Sequence, residues 1–298
     1  MSRQSTLLLV VVLIAPACAR PCRFADLSKA GISLVECTSL QLNDAPLTSA
    51  HISSVSAALA LEAVHMHGVR LGSSGASLLA DALGQLPSLR ELGVGSCRLG
   101  DRGLQTLLRS LPPTLRVLDV QHNLIQDPGV RLLATELSQG SQLSSVNLSW
   151  NGISPRGARA LADALQNNTA LEVLSLNWNG LKDKGAKHLG EALPFNNKLS
   201  NLALEHNAIK DTGARHLAKG LKANGAVQVL QLGGNGVSKA TEAVVLEALQ
   251  AAPQMEEPPP PPPLRAYIKE ESADTDEEVE EISFDEEEER VGGSRDEL

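Results

Sequence analysis

Three consecutive stretches of the 298-residue chain are variants of one another. They read LSSVNLSWNGISPRGARALADALQNNTA from Leu143, LEVLSLNWNGLKDKGAKHLGEALPFNNK from Leu171 and LSNLALEHNAIKDTGARHLAKGLKANGA from Leu199. The same frame fits from Leu61, Leu89, Leu115 and Val227, and more loosely from Cys37. Eight units thus cover residues 37–253, at spacings of 24, 28, 26 and then 28 residues. A period of this length dictates an array. One unit cannot bury its own apolar face, and only stacking on its neighbours makes a continuous core. Aromatic residues are 2% of the chain, so that core is built from Leu, Val, Ile and Ala in many similar layers.

Each unit opens on L-x-x-L-x-L-x-x-N/C-x-L. Alternation turns Leu174 and Leu176 inward from a short strand, with Leu171 on its approach, and turns Ser175 and Asn177 outward. Asn123, Asn151, Asn179, Asn207 and Asn235 share one frame position, where a side-chain amide can bond the turn and the neighbouring units. Cys97 holds that position in the third unit, which makes it a buried ladder residue rather than a reactive thiol. Asp101, Asp127, Asp183 and Asp211 each stand two residues before a glycine at a helix start and read as N-caps. Ala186, Leu189 and Leu193 then fall on one helical face, as do Ala214, Leu217 and Leu221.

The signature, the 28-residue length and the G-A-x-x-L-x-x-A-L second half resemble the ribonuclease-inhibitor-like leucine-rich-repeat family. The resemblance covers about three quarters of the chain. It implies an α/β solenoid, a horseshoe of about eight strand–helix repeats with a parallel sheet on the concave face. It also implies a protein-binding role without catalysis or cofactor.

The two ends have other compositions. Residues 1–19 hold Arg3, an apolar run from Leu7 to Ala15 and the small-x-small site Ala17-Cys18-Ala19, the three-part pattern of a secretory signal peptide. The run is too short to span a bilayer, where about 20 apolar residues are needed, so no membrane insertion is expected. Residues 20–36 are expected to cap the array, and Cys22 and Cys37 are candidates for a disulfide there. Residues 254–269 form a proline-rich linker with Pro258 to Pro263 in a row, a stiff polyproline II spacer. Residues 270–298 are an acidic tail, with 13 acidic residues among the 20 from Glu270 to Glu289, and are expected to be disordered. Weak calcium binding is a candidate role for those carboxylates.

The chain closes on Arg295, Asp296, Glu297 and Leu298. This is a retention signal of the K-D-E-L type, which needs a position at the very C-terminus and is read by the KDEL receptor. Together with the signal peptide, it points to the endoplasmic reticulum lumen. Formal net charge is −9, but 17 acidic and four basic side chains belong to residues 254–298, against 18 and 22 in residues 1–253. The repeats are therefore slightly basic overall, and nothing in them forms a nucleic-acid footprint.

No catalytic motif stands out. The glycines of LGGNGVSK lie on a strand and turn, not in a phosphate-binding loop. His65 and His67 share the outer face of one strand, but the next unit has Gly93 and Gly95 there and no third ligand is evident, so no metal site is expected.

The position before the ladder Asn carries His122, Trp150, Trp178 and His206 in consecutive units. Rings about 5 Å apart would line up along the sheet edge. They serve either as an aromatic anchor for a protein partner or as a cover over the asparagines. Asp119, Asn147, Ser149, Asn177 and Glu205 make the neighbouring concave surface polar, which suits a protein ligand. Of two N-x-S/T triplets, Asn167 at a helix end is the expected glycosylation site and Asn147 on a strand is not. The competing reading is a cytosolic scaffold of the same fold, with PPPPLR as an SH3-domain ligand and the acidic tail as a partner-binding segment.

Overall fold

The computed structural model describes residues 22–23, 39–43 and 61–251. Among these, nine strands form one parallel sheet in chain order. They are β1 (Cys22–Arg23), β2 (Ser39–Asn43), β3 (Ala63–His67), β4 (Glu91–Gly95), β5 (Val117–Asp119), β6 (Ser145–Asn147), β7 (Val173–Ser175), β8 (Asn201–Ala203) and β9 (Val229–Gln231). The eight repeats supply β2 to β9. The segment ahead of them adds β1, with Cys22 beside Leu40. The expected Cys22–Cys37 disulfide lies outside the described residues, as do the signal peptide, the linker, the acidic tail and the terminal tetrapeptide.

Seven helices alternate with the strands in the described part. They are α1 (Gly72–Leu83), α2 (Gly100–Leu108), α3 (Asp127–Ser138), α4 (Pro155–Leu165), α5 (Lys182–Ala192), α6 (Asp211–Lys222) and α7 (Lys239–Gln250). The core lies between sheet and helices. Leu171, Leu174, Leu176, Ala186 and Leu189 are fully buried in one repeat, and Leu199, Leu204, Ala214 and Leu217 in the next. The register keeps Val146, Leu174, Leu202 and Leu230 in one inward row. Neighbouring strands sit about 4.8 Å apart and packed helices about 8–10 Å apart, so the array bends with the sheet on its inner side.

Two asparagine ladders tie repeat to repeat. In the expected one, the Asn151 side-chain oxygen accepts from Asn123 N at 3.0 Å and Ile125 N at 3.0 Å, and its amide donates back to Val120 O at 3.1 Å. Cys97 takes this position as expected, buried, with Sγ donating to Gly95 O at 3.1 Å. The second ladder joins the helix-to-strand loops through Asn168, Asn196 and Asn224, all buried. Asn196 donates to Leu165 O at 2.7 Å and Asn168 O at 3.0 Å, and its oxygen accepts from Leu199 N at 2.7 Å.

The aspartates do not cap their own helices. Asp101 and Asp127 each sit in the first turn of one helix and cap the next helix along the array. Asp101 Oδ1 accepts from Gln126 N at 2.8 Å and Gly129 N at 3.1 Å. Asp127 does the same for Ser154 N at 2.9 Å and Gly157 N at 3.0 Å, and Asp183 for Lys210 N at 2.7 Å and Gly213 N at 3.0 Å. Asp211 accepts from Ser238 N at 2.7 Å. The reason is geometric. Each carboxylate stands beside the start of the adjacent helix, whose free amides point at it.

Helix entry follows this relay. Where an aspartate precedes, the residue before the helix is extended, at φ −119° for Gln126, −95° for Ser154 and −111° for Lys210. Ser73 and Pro155 replace the aspartate ahead of α2 and α5. There, Gly100 and Lys182 are left-handed, at φ 61° and 53°, and donate to Asn123 O and Asn207 O instead.

Candidate functional site

The position before the ladder asparagine is left-handed in every described repeat from β3 onward. φ is 70° at Gly68, 57° at Ser96, 54° at His122, 57° at Trp150, 56° at Trp178, 54° at His206 and 69° at Gly234. From Gly68 to His206, each N–H is pinned to the carbonyl just ahead of the matching residue in the next repeat. Trp150 N donates to Asn177 O at 2.8 Å, Trp178 N to Glu205 O at 2.8 Å and His206 N to Gly233 O at 3.0 Å. The shared frame position and left-handed turn set all seven residues in one column along the sheet edge.

The structure brings the four expected residues together. Trp150 and Trp178 stack with centroids 4.1 Å apart at 12°, and Trp178 and His206 at 3.7 Å and 16°. His122 meets Trp150 edge-on at 6.3 Å. The column stops at both ends. Ser96 Oγ lies 3.0 Å from His122 Nδ1, and His206 lies so close over Gly234 that a Cβ there would sit 2.2 Å from its Cε1. Trp150 is 47% and Trp178 42% exposed, so the ring faces cover one another while their edges meet solvent.

Beside the column, Asn177 and Glu205 are joined. Glu205 N donates to Asn177 Oδ1 at 2.7 Å, and Asn177 Nδ2 reaches Glu205 Oε2 at 3.5 Å. Asp119 accepts from Gln121 N at 3.0 Å and Gln121 Nε2 at 3.1 Å. Asn147 Oδ1 accepts from Ser149 N at 3.1 Å. Ser149 departs from its expected exposure. It is buried under its neighbours and offers little to a ligand.

His65 leans over Gly93, with Nε2 3.6 Å from Glu91 Oε2. Among the described residues no group of three or more His, Cys, Asp or Glu side chains is placed to hold a metal, and no helix is long and apolar enough to cross a membrane. Asn167 is exposed at the end of α4, whereas the adjacent Asn168 is the buried loop-ladder residue.

Five segments, residues 85–108, 112–134, 142–162, 167–190 and 195–218, match the leucine-rich repeat family model. These segments are similar to leucine-rich repeats. The leucine-rich repeat-containing protein 73 of Rattus norvegicus and that of Homo sapiens are each 32% identical over 97 residues. The match covers 30% of this chain and 31% of each relative, so the chain spans about a third of the curated relatives it matches. Among solved structures, the leiomodin-1 actin-binding site 2 aligns with a TM-score of 0.37 at 22% identity, over 41% of this chain and 70% of that one. The matched segments and the parallel strand–helix array agree with the fold class expected from the period.

Proposed function

We propose that this chain is a protein-binding module that engages its partner across the outer face of the sheet, with His122, Trp150, Trp178 and His206 as the anchor. One observation carries the reading. Two exposed tryptophans occupy left-handed backbone positions that Gly68 and Gly234 fill without strain. A non-glycine residue there costs roughly 1–2 kcal/mol, and an aromatic pair returns about 0.5–1.5 kcal/mol. The stack therefore at best offsets the strain, and its use lies in presenting aromatic edges to another molecule. Asn177 and Glu205 beside the column supply polar contacts.

The compartment is part of the proposal. The signal-peptide pattern and the terminal Arg295–Leu298 support an endoplasmic reticulum protein, recycled by the KDEL receptor, with Asn167 glycosylated, a Cys22–Cys37 disulfide and weak calcium binding on the acidic tail. The competing cytosolic scaffold draws on PPPPLR. Endoglycosidase H separates the two: a downward gel shift lost in Asn167→Gln is expected for the lumen, and a cytosolic protein with Met1 or Ser2 at its N-terminus overturns it. Proximity labelling tests the binding face. The lumenal reading predicts neighbours that disappear in the Trp150→Gly/Trp178→Gly chain, and an unchanged set would retire the aromatic anchor.

A further inference from the structure

One frame position on the helix side carries a cation in four consecutive repeats. It lies two residues after the glycine of the helix start, at Arg131, Arg159, Lys187 and Arg215, each 28 residues from the last. The repeats on either side break the row with Gln105 and Ala243. Arg131, Lys187 and Arg215 are exposed and Arg159 is half-buried. One turn away on the same helices stand three more exposed cations, Arg156, Lys184 and Lys219.

The carboxylates do not balance this row. Helices α3 to α6 hold nine Arg and Lys against six Asp and Glu. Three of the six, Asp127, Asp183 and Asp211, are the relay groups, and each accepts from backbone N–H at the start of the following helix. Among the described residues, the one ion pair in the row joins Lys187 to Glu191 of its own helix at 3.8 Å, with both side chains 49% exposed. Like charges repeated on adjacent helices repel one another, so the row is a surface that gains from an anionic partner.

The spacing selects the partner. Packed helices lie about 8–10 Å apart, and so do successive cations of the row. In polyproline II, the extended form common in unfolded chains, residues i and i+3 share a face about 9 Å apart. A carboxylate at every third residue of such a segment would meet one cation after another. α4, α5 and α6 expose no aromatic ring on which a base could stack and no large apolar side chain to enter a bilayer, which sets nucleic acid and membrane behind an acidic peptide.

We propose that the helix side of these four repeats is a second docking surface, for an extended acidic segment of another protein with a carboxylate at every third residue. The cations stand on the helices and the aromatic column along the sheet edge, so either surface can serve without the other.

Fluorescence anisotropy of labelled peptides added to the full chain tests this. The probes are a peptide with four glutamates, one at every third residue, and a peptide of the same composition with its glutamates contiguous. The spaced peptide is expected to bind at least about 3-fold more tightly, and to weaken as salt is raised. Arg131→Gln/Arg159→Gln/Lys187→Gln/Arg215→Gln should lose at least about 10-fold, whereas Arg70→Gln/Arg90→Gln/Arg98→Gln/Arg109→Gln, which removes the same charge ahead of the row, should stay within about 2-fold. Equal losses in the two variants would reduce the effect to net charge, and equal binding of the two peptides would remove the register. Tighter binding of a single-stranded oligonucleotide or of phosphatidylserine vesicles would assign the row to another class of partner. Each of these results overturns the proposal. None bears on the aromatic anchor, because Trp150 and Trp178 are unchanged throughout.

Discussion

A tryptophan with positive φ is an uncommon residue, and this chain has two in adjacent repeats. Replacing Trp178 by glycine removes two stacking partners and relieves one strained backbone position. The two effects are of similar size, so Trp178→Gly should shift the melting temperature by no more than about 3 °C while partner binding falls at least about 10-fold. A loss of stability well beyond this, with binding intact, would mean that the ring mainly covers the asparagine ladder. Cys97 gives the opposite kind of prediction. Burial pushes its thiol up to about 11, with the nearby backbone bond pulling slightly the other way. The thiolate, the only reactive form, is therefore scarce at pH 8. An aromatic disulfide reagent should modify Cys97 only as fast as the protein unfolds, and immediate labelling of the native chain would contradict the burial.

Within each strand–helix element, the 28-residue period made much legible from sequence. The inward leucines, the helix faces and the expected asparagine ladder all follow from one residue type recurring at one spacing, because each bond repeats unit after unit. The aspartates were misread because a local motif cannot say which helix a carboxylate serves, and here the bond crosses a unit boundary. The left-handed column left only a faint trace, Gly68 and Gly234 sharing a frame position with the aromatics. The loop asparagines recur at 28 residues too, but Asn168 was hidden beside the sequon at Asn167.

The carboxylate relay makes its glycines testable. Glycine to alanine inside a helix usually gains about 1 kcal/mol. At Gly157 an added Cβ would lie 2.5 Å from Asp127 Oδ1 and 2.7 Å from Ile153 Cγ2, so crowding should win. Gly157→Ala is expected to lose about 1–3 kcal/mol in denaturant unfolding, and the same change made on Asp127→Ala should cost less, since one clash is already gone. A stabilised Gly157→Ala would show that the carboxylate does not press on this helix. Lys182, left-handed where no aspartate precedes it, predicts a pair of opposite signs. Lys182→Gly should raise the melting temperature slightly and Lys182→Val should lower it, because a β-branched residue tolerates that backbone least.

For the whole molecule, the proposed function assigns binding to the sheet side and the choice of compartment to the terminal sequences. Appending a few residues after Leu298 should send a lumenal protein into the medium, measured as secreted against retained fraction, whereas a cytosolic chain would stay in the cell lysate with or without the extension. The sheet side and the address are independent in this view, so the extended chain should keep its partner binding.

From α3 onward the relay of aspartates has one gap, at Pro155, and it implies a place where the chain can be spliced. A version without residues 143–170 joins the unit of Asp127 directly to the unit of Lys182 and Gly185. The carboxylate that served Ser154 and Gly157 would then face Lys182 N and Gly185 N, and every helix from α3 onward would inherit a capping aspartate from its predecessor. The shortened array would also set His122, Trp178 and His206 side by side. Removing a repeat normally severs two interfaces and remakes one of ordinary quality. Here the remade junction would carry the aspartate cap that the junction between α4 and α5 lacks.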